Sequence, residues 1–573
     1  MVVQYWQSAF TIKKGCRELK GYEFIVKMWQ EYGTTHVFYQ ETALVKALRF
    51  AVNKGIETVL AHSEFAAGYM ADGYARVSGR PGVCVAQAIG GANLAAGLHD
   101  AFLGGSPVIA LTGRKDPVFR DRNSYQDSDH IKQFSGVTKL SYPVINEAQF
   151  KYLLPQAYKE AVAGRPGPIN IDLMGFAAEI SENWEVGDSF MFETMYGKYP
   201  VFRPKAEEEM VERAVAEISA AKRPIIVSGR GSFISEAQAQ LLEFAEKADI
   251  PVATTCDGKT TFDESHPLWC GVIGGYGMDC ANKAVSAADL VIFVGSGTGD
   301  QTTMNYSVPP TAARVIQIDC SAPELGRNYP NCLGLFGDAE AVLGQLADAV
   351  ATLEHKEWNS KVDALKADTF ARHQLLWDEK IGAKTGKISP AYLCDQLSKA
   401  LPDDSILISD TGWAATWSST MIRMKSSQKY SRASGTLGWG FPASIGAQCG
   451  APDRKVVCIT GDGGFYYFLA ELETAVRHNI PSVTVLNNNQ ALSQVIPHIT
   501  SETNPGNPDQ AAKSITFGSV NFAKIAEEFG AYAIRVTDPD DLAPALANAI
   551  DSGKHALVEV ITDQWTGPRP AVE

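Results

Sequence analysis

A strand–helix–strand pattern that ends in two polar turns constrains the fold of this chain more than any other stretch. It spans residues 455–494, KVVCITGDGGFYYFLAELETAVRHNIPSVTVLNNNQALSQ. The β-branched run at 456–460 predicts a buried strand, the apolar spacing of 465–479 predicts a helix, and 482–486 predicts the next strand. Parallel strands joined by a helix end at the same edge of a sheet, and open α/β folds bind ligands at that edge.

The two turns at this edge carry oxygen ligands. The first turn holds Asp462 between glycines, and the second holds the asparagines 487–489. Mg²⁺ binds proteins through one or two such oxygens together with substrate phosphates. The glycines let backbone N–H groups approach a diphosphate, and the following helix directs its positive end to the same place. The alternative is that these residues form only an ordinary turn and an Asn-rich loop without a metal. The presence of both turns on one strand–helix–strand unit makes this alternative less favoured.

Composition indicates an acidic globular protein of several domains. A length of 573 residues predicts about three or four domains. The formal charge of -14 argues against nucleic acid and anionic membranes as partners. No stretch is long and apolar enough for a spanning helix, and the first residues lack the apolar core of a secretory signal. The ten cysteines form no C-x-x-C motif, which favours free thiols, and we expect a cytoplasmic enzyme.

The Gly-Asp-Gly turn and the asparagines resemble the signature of the thiamine-diphosphate enzymes, in which GDG is followed one crossover later by NN. When the last two of the three asparagines are taken as the pair, the resemblance implies three metal ligands: the side chains of Asp462 and Asn489 and the carbonyl of Ala491. It implies thiamine diphosphate and Mg²⁺ as cofactors. It also assigns to the diphosphate the glycines of the first turn, Gly461, Gly463 and Gly464.

The alternation of strands and helices along the chain predicts an α/β protein with three doubly wound parallel-sheet domains. Residues 1–20 are predicted to be an N-terminal extension, 21–185 the first domain, 206–350 a central α/β domain and 385–573 the third. The resemblance identifies the first domain as pyrimidine-binding and the third as diphosphate-binding.

Glu64 opens a predicted helix, SEFAAGYMADGYARVSG, with Ser63 as its N-cap. A carboxylate in a first helical turn is often only an exposed partner of the helix dipole, and that is the alternative interpretation. The segment is similar to the family's HEQAAGHAAEGYAR-type segment, and the resemblance implies that Glu64 hydrogen-bonds the cofactor pyrimidine. Farther on, Gly90 and Gly91 stand where the family has Gly-Pro-Gly, so we expect a more flexible loop there.

Two stretches of the third domain also match cofactor-binding segments. GTLGWGFPASIGAQCG is similar to the family's G-x-M-G-x-G-x-P-A-A-I-G-A. This resemblance implies that the Leu437 side chain lies under the cofactor and that the Gly435 carbonyl accepts a hydrogen bond from the 4′-amine of the cofactor. Gly412 matches a glycine near the diphosphate, and Trp413 with Ala414 replaces the Gln-His of acetolactate synthases. A tightly packed glycine-rich connection is the alternative for the first stretch.

Several polar residues are predicted to reach the substrate. SYQDSDHIKQFSGVTK resembles the acetolactate-synthase DxFQExD…TK stretch and places Gln126 at the active site; surface polarity in a loop is the alternative. Glu41, in the loop after the first predicted strand, is a candidate catalytic group or a solvated carboxylate. The remaining candidate substrate contacts are Tyr39, Gln40, Asn93, Lys139 and Gln494.

The resemblance implies a thiamine-diphosphate- and Mg²⁺-dependent C–C bond lyase or carboligase. It is expected to act on a 2-oxo acid, a diketone or a 2-hydroxyacyl compound through an enamine. The tryptophan that acetolactate synthases carry after the metal loop is missing from SQVIPHIT. Acetolactate-type condensation and a flavin-dependent oxidase of the pyruvate-oxidase kind remain the alternatives.

The resemblance also bears on further ligands and partners. Two glycine-rich strand ends, at 229–232 and 295–299, lie in the central domain without a complete G-x-G-x-x-G. In the family this domain binds FAD, ADP or nothing, so FAD or ADP is an open alternative here. The expected partners are small carbonyl substrates, with no nucleic acid and no membrane. A homodimer or homotetramer with sites between subunits is implied.

Overall fold

The computed structural model describes residues 18–40, 43–187, 190–499, 510 and 512–568. Within these ranges the long strands form three six-stranded parallel sheets that follow one another along the chain. The prediction of an α/β protein with three doubly wound domains is confirmed. No helix in the described part of the chain is both long and apolar enough to cross a bilayer.

In the first sheet, the strand that precedes Glu64 lies at one edge. Its strands in spatial order are Glu57–Leu60, His36–Tyr39, Gly82–Ala86, Val108–Arg114, Ile169–Met174 and Leu140–Pro143. Its helices include Gly21–Glu31, Val45–Val52, Glu64–Ser78, Gly90–Gly97, His99–Gly104, His130–Phe134, Glu147–Val162 and Glu179–Asn183. Glu18–Lys20, predicted as part of the extension, pairs antiparallel with Glu185–Gly187 and so packs with this domain.

The central sheet has the same architecture. Its strands in spatial order are Trp269–Val272, Val252–Thr254, Pro224–Ser228, Leu290–Val294, Val315–Asp319 and Cys332–Phe336. Its helices include Glu208–Ala220, Arg230–Ile234, Gln238–Ala248, Asp279–Ala287, Asp300–Thr303 and Ala339–Ala349. Inner strands such as Pro224–Ser228 are buried along their whole length, which explains their continuous apolar sequence. The long helix Lys356–Asp378 leads to the third domain.

The third sheet carries the stretch that opened the sequence analysis. Its strands in spatial order are Lys429–Arg432, Ile406–Ser409, Val456–Gly461, Val483–Asn488, Ala556–Ile561 and Tyr532–Val536. Its helices include Pro390–Ala400, Trp413–Thr420, Gly440–Gly450, Asp462–Phe465, Glu471–Arg477, Phe522–Glu528 and Leu542–Asp551.

The helix predicted at 465–479 is interrupted in the structure. A turn of 3₁₀ helix, Tyr466–Phe468, separates Asp462–Phe465 from Glu471–Arg477. The interruption places the Phe468 ring against Phe65 and Tyr69 of the first domain, with ring centroids 5.3 and 5.5 Å apart. A tertiary contact thus replaces the continuous helix that the local pattern favours.

Two helices rich in small residues join the first and third domains. Glu64–Ser78 packs along Gly440–Gly450, and the backbones approach so closely that a Cβ on Gly446 would collide with the Met70 carbonyl. A Cβ on Gly73 would collide with the Ala443 carbonyl in the same way. The interface therefore depends on glycine on both helices, and it fixes the helix that begins at Glu64 relative to the third sheet.

Candidate functional site

The two polar turns predicted from the sequence meet at the edge of the third sheet. Strands Val456–Gly461 and Val483–Asn488 are parallel neighbours. Asp462 follows the first strand and Asn489 follows the second. The Asn489 Oδ1 atom accepts a hydrogen bond from the Ala491 N–H at 3.1 Å, and the Asp462 carboxylate faces the same N–H group. Both side chains therefore converge on one short loop.

Asp462 is a buried carboxylate with unused acceptor capacity. The residue is 2% exposed, and its Oδ2 atom has no hydrogen-bond partner among the described residues. Burial raises the pKa of Asp462 to about 7, against the opposing effect of the Gly463 and Gln490 N–H groups. A desolvated carboxylate of this kind is stabilised by a cation, and a ligand set made only of oxygens suits Mg²⁺. The residues present therefore fit the implied metal.

The three consecutive asparagines have different partners. The Asn487 Oδ1 atom accepts a hydrogen bond from the Thr562 hydroxyl. The Asn488 Nδ2 atom donates to the fully buried Glu559 carboxylate at 2.7 Å. These contacts tie the first two asparagines to the neighbouring strand, whereas Asn489 faces the loop that also receives Asp462.

Glycine backbones border open space beside this loop. Gly412 has φ 69° and ψ -144°, a conformation open only to glycine, and it precedes helix Trp413–Thr420. A Cβ on Gly461 or Gly435 would meet no atom of the described chain within 4 Å. Gly463 and Gly464 differ, because a Cβ there would press against Leu492 or Asp410. The space beside Gly461 and Gly435 is therefore open, whereas Gly463 and Gly464 pack against neighbouring side chains, and their assignment to the diphosphate stays a prediction.

The loop that carries Leu437 is held by two buried carboxylates from different domains. Asp100 of the first domain accepts hydrogen bonds from the Ser434 N–H at 2.9 Å and the Thr436 N–H at 3.1 Å. Asp410 of the third domain accepts a hydrogen bond from the Gly438 N–H just after Leu437. Leu437 itself is partly exposed at the tip of the turn. The backbone on both sides of Leu437 is therefore anchored.

Glu64 begins its helix as the sequence predicts, with the Ser63 hydroxyl accepting a hydrogen bond from the Ala66 N–H. The glutamate is only 7% exposed, so it is not a solvated capping residue. The Asn93 Nδ2 atom donates to Glu64 Oε2 at 3.2 Å. A Cβ on Gly90 would overlap Glu64 Oε1, so the carboxylate lies directly on the glycine loop.

Tyr39 ends the strand His36–Tyr39, which lies next to the strand that leads to Glu64, and Gln40 follows it; both residues are partly buried. Glu41 lies outside the described residues. Gln126 adopts φ 57°, and its amide donates to the Tyr125 hydroxyl at 3.1 Å. Its Oε1 atom is buried with no partner in the described part of the chain.

Lys139 has a different environment from the one predicted. Its ammonium group donates at 2.6 to 3.0 Å to three backbone carbonyls at and after the end of helix Glu147–Val162, those of Glu160, Ala163 and Arg165. Burial lowers the pKa of Lys139. Because these bonds use all three N–H groups of the ammonium, the predicted substrate contact is not supported. Lys139 instead caps the C-terminal end of helix Glu147–Val162.

Gln494 connects the loop that carries two of the predicted metal ligands, residues 489–491, which we call the metal loop, to the central domain. Its Nε2 atom donates to the Tyr276 hydroxyl at 3.0 Å, and its Oε1 atom lies 3.2 Å from the position of a Cβ on Gly412. The Tyr276 carbonyl accepts a hydrogen bond from the Ser419 hydroxyl at 2.6 Å, which docks the central-domain loop on helix Trp413–Thr420. Tyr276 therefore borders the same region as Gly412, although the two lie in different domains.

A later segment lies across the metal loop. Ala491 and Thr516 form an antiparallel bridge. The Leu492 N–H donates to the Ile515 carbonyl at 2.9 Å, and the Phe517 N–H donates to the Gln490 carbonyl at 2.7 Å. Residues 515–517 therefore cover one side of the Asp462 and Asn489 loop.

A cavity of about 770 Å³ lies at the glycine-rich strand ends of the central domain. Arginines from three domains line it, namely Arg165, Arg230 and Arg432. Asp319, at the carboxyl end of strand Val315–Asp319, lines it as well, and burial raises the pKa of this residue to about 6. Cationic groups beside glycine turns and an acid at a strand end suit a nucleotide with its phosphates and ribose.

Sequence reasoning missed Tyr276, Asp410 and His130. Asp410 directly follows the apolar strand Ile406–Ser409, so its place at a strand end was a signal that could have found it. Tyr276 and His130 gave no comparable signal, because their partners Gln494 and Asp172 are distant in sequence.

Comparisons with known proteins agree with this geometry. Three thiamine pyrophosphate enzyme profiles match: the N-terminal TPP binding domain at residues 19–134, the central domain at 211–346 and the C-terminal TPP binding domain at 410–560. The chain is 31% identical to a probable acetolactate synthase large subunit of Methanocaldococcus jannaschii over 95% of this chain and 92% of that protein. It is 29% identical to acetolactate synthase isozyme 2 large subunit of Escherichia coli over 97% of each.

These profiles match part of each of the three domains, and the metal loop and the Glu64 helix lie inside two of them. The similarity to the Methanocaldococcus protein spans nearly the whole chain. The chain therefore belongs to the thiamine pyrophosphate enzyme family.

Proposed function

We propose that this protein is a thiamine-diphosphate- and Mg²⁺-dependent carboligase or C–C bond lyase that acts on a 2-oxo acid, a diketone or a 2-hydroxyacyl compound. One observation carries the proposal: the buried Asp462 Oδ2 atom, which has no hydrogen-bond partner among the residues that the structure describes, converges with Asn489 on one loop at a sheet edge. Relatives named acetolactate synthase favour carboligation among these reactions.

Asp462, Asn489 and the Ala491 carbonyl would hold Mg²⁺, and Gly412 and Gly461 would admit the diphosphate. When bound, thiamine diphosphate supplies a nucleophilic thiazolium carbon and an electron sink next to the substrate carbonyl. The chain holds the cofactor in place, excludes water and moves a proton. Residues 515–517 contribute to the exclusion of water, because they lie against the metal loop.

Glu64 is the group that would exchange a proton with the cofactor pyrimidine. It is buried, and its carboxylate is oriented by the Asn93 amide. Leu437 would support the ring from below, since Asp100 and Asp410 fix the loop that presents it. A proton donor or acceptor needs such fixed geometry, because proton transfer requires heavy atoms within hydrogen-bond reach.

Gln494 and Tyr276 provide a polar wall for the substrate. They are hydrogen-bonded to each other beside Gly412, and both are only partly buried. A carboxylate or hydroxyl of the substrate can accept a hydrogen bond from either group. This wall favours an oxygen-rich substrate such as a 2-oxo acid. Condensation of the acetolactate type is the alternative within this class.

We also propose a homodimer or homotetramer with sites between subunits. Large apolar side chains are exposed near Glu64 of the first domain and near Asp462 of the third. Ile89, directly before Gly90, is 54% exposed, and Tyr467, shortly after helix Asp462–Phe465, is 62% exposed. A second copy of the chain would cover them. The nine cysteines in the described ranges are free, which favours the reducing cytoplasm.

The central cavity supports a second ligand, an adenine nucleotide such as ADP or FAD. Arg165 and Arg230 would bind phosphates, and Asp319 would bind ribose hydroxyls. Mass spectrometry of the small molecules released on denaturing the purified protein tests this assignment. A flavin absorption band would favour the oxidase alternative, and ADP would favour a structural nucleotide.

The experiment that tests the main proposal is a product screen. The purified protein is supplied with thiamine diphosphate and Mg²⁺, and 2-oxo acids, diketones and 2-hydroxyacyl compounds are offered singly and in pairs. We expect cofactor-dependent products that contain a new or a cleaved C–C bond, detected by mass spectrometry. Acetolactate from pyruvate alone would establish the condensation alternative. The absence of cofactor binding by calorimetry would contradict the whole proposal.

A further inference from the structure

Two adjacent glycines separate Glu64 from a buried histidine. A Cβ on Gly90 would overlap Glu64 Oε1, and a Cβ on Gly91 would lie 2.5 Å from His130 Nε2. The two side chains thus contact the same turn at successive residues. Helix Gly90–Gly97 starts at this turn. The loop expected to be more flexible without the proline thus packs against two side chains, and its flexibility stays a prediction.

His130 also holds the turn by a hydrogen bond. Its Nε2 atom donates to the Ala88 carbonyl at 2.6 Å. The Ala88 N–H donates to the Phe176 carbonyl at 2.9 Å, so both backbone groups of Ala88 are fixed. Because a carbonyl oxygen only accepts, Nε2 must carry the hydrogen. The imidazole therefore sets the position at which the helix begins.

Asp172 fixes the imidazole from the sheet. The His130 Nδ1 atom lies 2.7 Å from Asp172 Oδ1, and each residue is 1% exposed. Asp172 also accepts a hydrogen bond from the Thr112 hydroxyl at 3.0 Å and lies 3.6 Å from the Arg114 guanidinium. Thr112 and Asp172 are paired residues of two central strands. The contact chain that ends at Ala88 thus begins on the rigid part of the domain.

Both contacts to Glu64 come from the helix that His130 positions. Gly90 packs against its carboxylate, and Asn93, one turn later, donates a hydrogen bond to it. A shift of the Ala88–Gly91 turn would therefore move the packing partner and the hydrogen-bond donor together. Misplacement of a reacting group by about 1 Å can cost roughly 100-fold in rate.

We propose that His130, tethered by Asp172, is a positioning residue that sets the orientation of Glu64 through the turn of Ala88, Gly90 and Gly91. The inference rests on the role proposed for Glu64. It requires no contact between His130 and substrate or cofactor.

Three variants test it: His130→Gln, Asp172→Asn and, as a matched loss of a buried histidine outside the first domain, His373→Gln. His373 is 8% exposed and lies on helix Lys356–Asp378. In the protein without cofactor, hydrogen–deuterium exchange mass spectrometry should show faster amide exchange at residues 88–93 for the first two variants only. With cofactor, the affinity for thiamine diphosphate should change less than about threefold, because the metal loop is intact.

The rate of deuterium exchange at the thiazolium carbon of the bound cofactor is the decisive measurement. We expect a decrease of roughly 10- to 100-fold for His130→Gln. In the Glu64→Gln background, His130→Gln should cause no further decrease, because the two residues act through one orientation. A full additive loss, or an unchanged rate in both His130→Gln and Asp172→Asn, would overturn the inference. An unchanged rate in Glu64→Gln alone would instead reject the proposed role of Glu64.

If His130→Gln fails to fold, Gly91→Ala gives the same test from the other side of the contact, since its Cβ would meet His130 Nε2. Its amide and thiazolium exchange should change as in His130→Gln. Normal rates at both places would contradict the inference.

Discussion

The Asp410 carboxylate accepts a hydrogen bond from the backbone N–H of Gly438 at 3.0 Å, directly after Leu437. It also accepts hydrogen bonds from the N–H groups of Thr411 and Gly440 and from the Thr460 hydroxyl. Burial raises the pKa of Asp410 to about 6. One buried side chain thus joins the strand end, the Leu437 loop and the following helix.

We expect Asp410→Asn to weaken thiamine diphosphate binding and to lower the melting temperature. An amide has one acceptor oxygen where the carboxylate serves four donors, and each buried donor left unpaired costs about 1–3 kcal/mol. Calorimetric titration and thermal unfolding measure the two effects. Asp404→Asn, an exposed carboxylate before the same strand, should change neither. Equal behaviour of the two variants would contradict this role.

Glu64→Gln should separate cofactor binding from turnover. The amide keeps the shape of the side chain but cannot exchange a proton with the pyrimidine, so turnover should fall by about 10²- to 10⁴-fold. The affinity for thiamine diphosphate should remain close to that of the unchanged protein. Glu57→Gln, on the exposed strand before Glu64, should keep full turnover. Unchanged turnover in Glu64→Gln would reject its assignment as the proton-exchanging group.

Removal of the metal should remove cofactor binding. Asp462→Ala removes the anionic ligand. We therefore expect the gain in thiamine diphosphate affinity on addition of Mg²⁺ to be more than about 10-fold smaller in this variant than in the unchanged protein. Titration with and without Mg²⁺, after treatment with a chelator, measures this margin. Asp453→Ala, an exposed aspartate before the same strand, serves as control. Metal-independent binding in the unchanged protein would refute the site.

The sheet edge was predictable from sequence because its signals are local. Apolar runs of strand length give the buried strands, and polar turns directly after them give Asp462 and Asn489. Parallel topology then brings the turns together without any knowledge of side-chain packing. Ser63 and Glu64 were predictable for the same reason, since an N-cap is a contact within four residues.

The contacts that the sequence did not predict cross large sequence distances. Tyr276 and Gln494 are 218 residues apart, and His130 and Asp172 are 42 residues apart. Periodicity and capping rules describe neighbours along one element, so they carry no information on such pairs. The interruption of the predicted helix at Tyr466–Phe468 has the same origin, because Phe468 packs against another domain.

Gly446→Ala should disrupt the contact between the first and third domains. Its Cβ would collide with the Met70 carbonyl of the facing helix, and backbone atoms of two packed helices cannot move aside cheaply. We expect a lower melting temperature and weaker cofactor binding. Gly344→Ala is the matched control, because this helical glycine has no atom of the described chain within 4 Å of its Cβ position. It should raise stability by up to about 1 kcal/mol. Destabilisation by both variants would contradict a role for the helix contact.

His555 should make the protein less stable in mild acid. Burial lowers its pKa from 6.5 to about 4, so between these values the folded state binds fewer protons than the unfolded state. Stability therefore falls as the pH decreases through this window. His555→Gln removes the titration, so its melting temperature should fall less between about pH 7 and pH 5 than that of the unchanged protein. His99→Gln, an exposed histidine, should leave the full decrease, and an equal decrease in His555→Gln would show that His555 does not contribute.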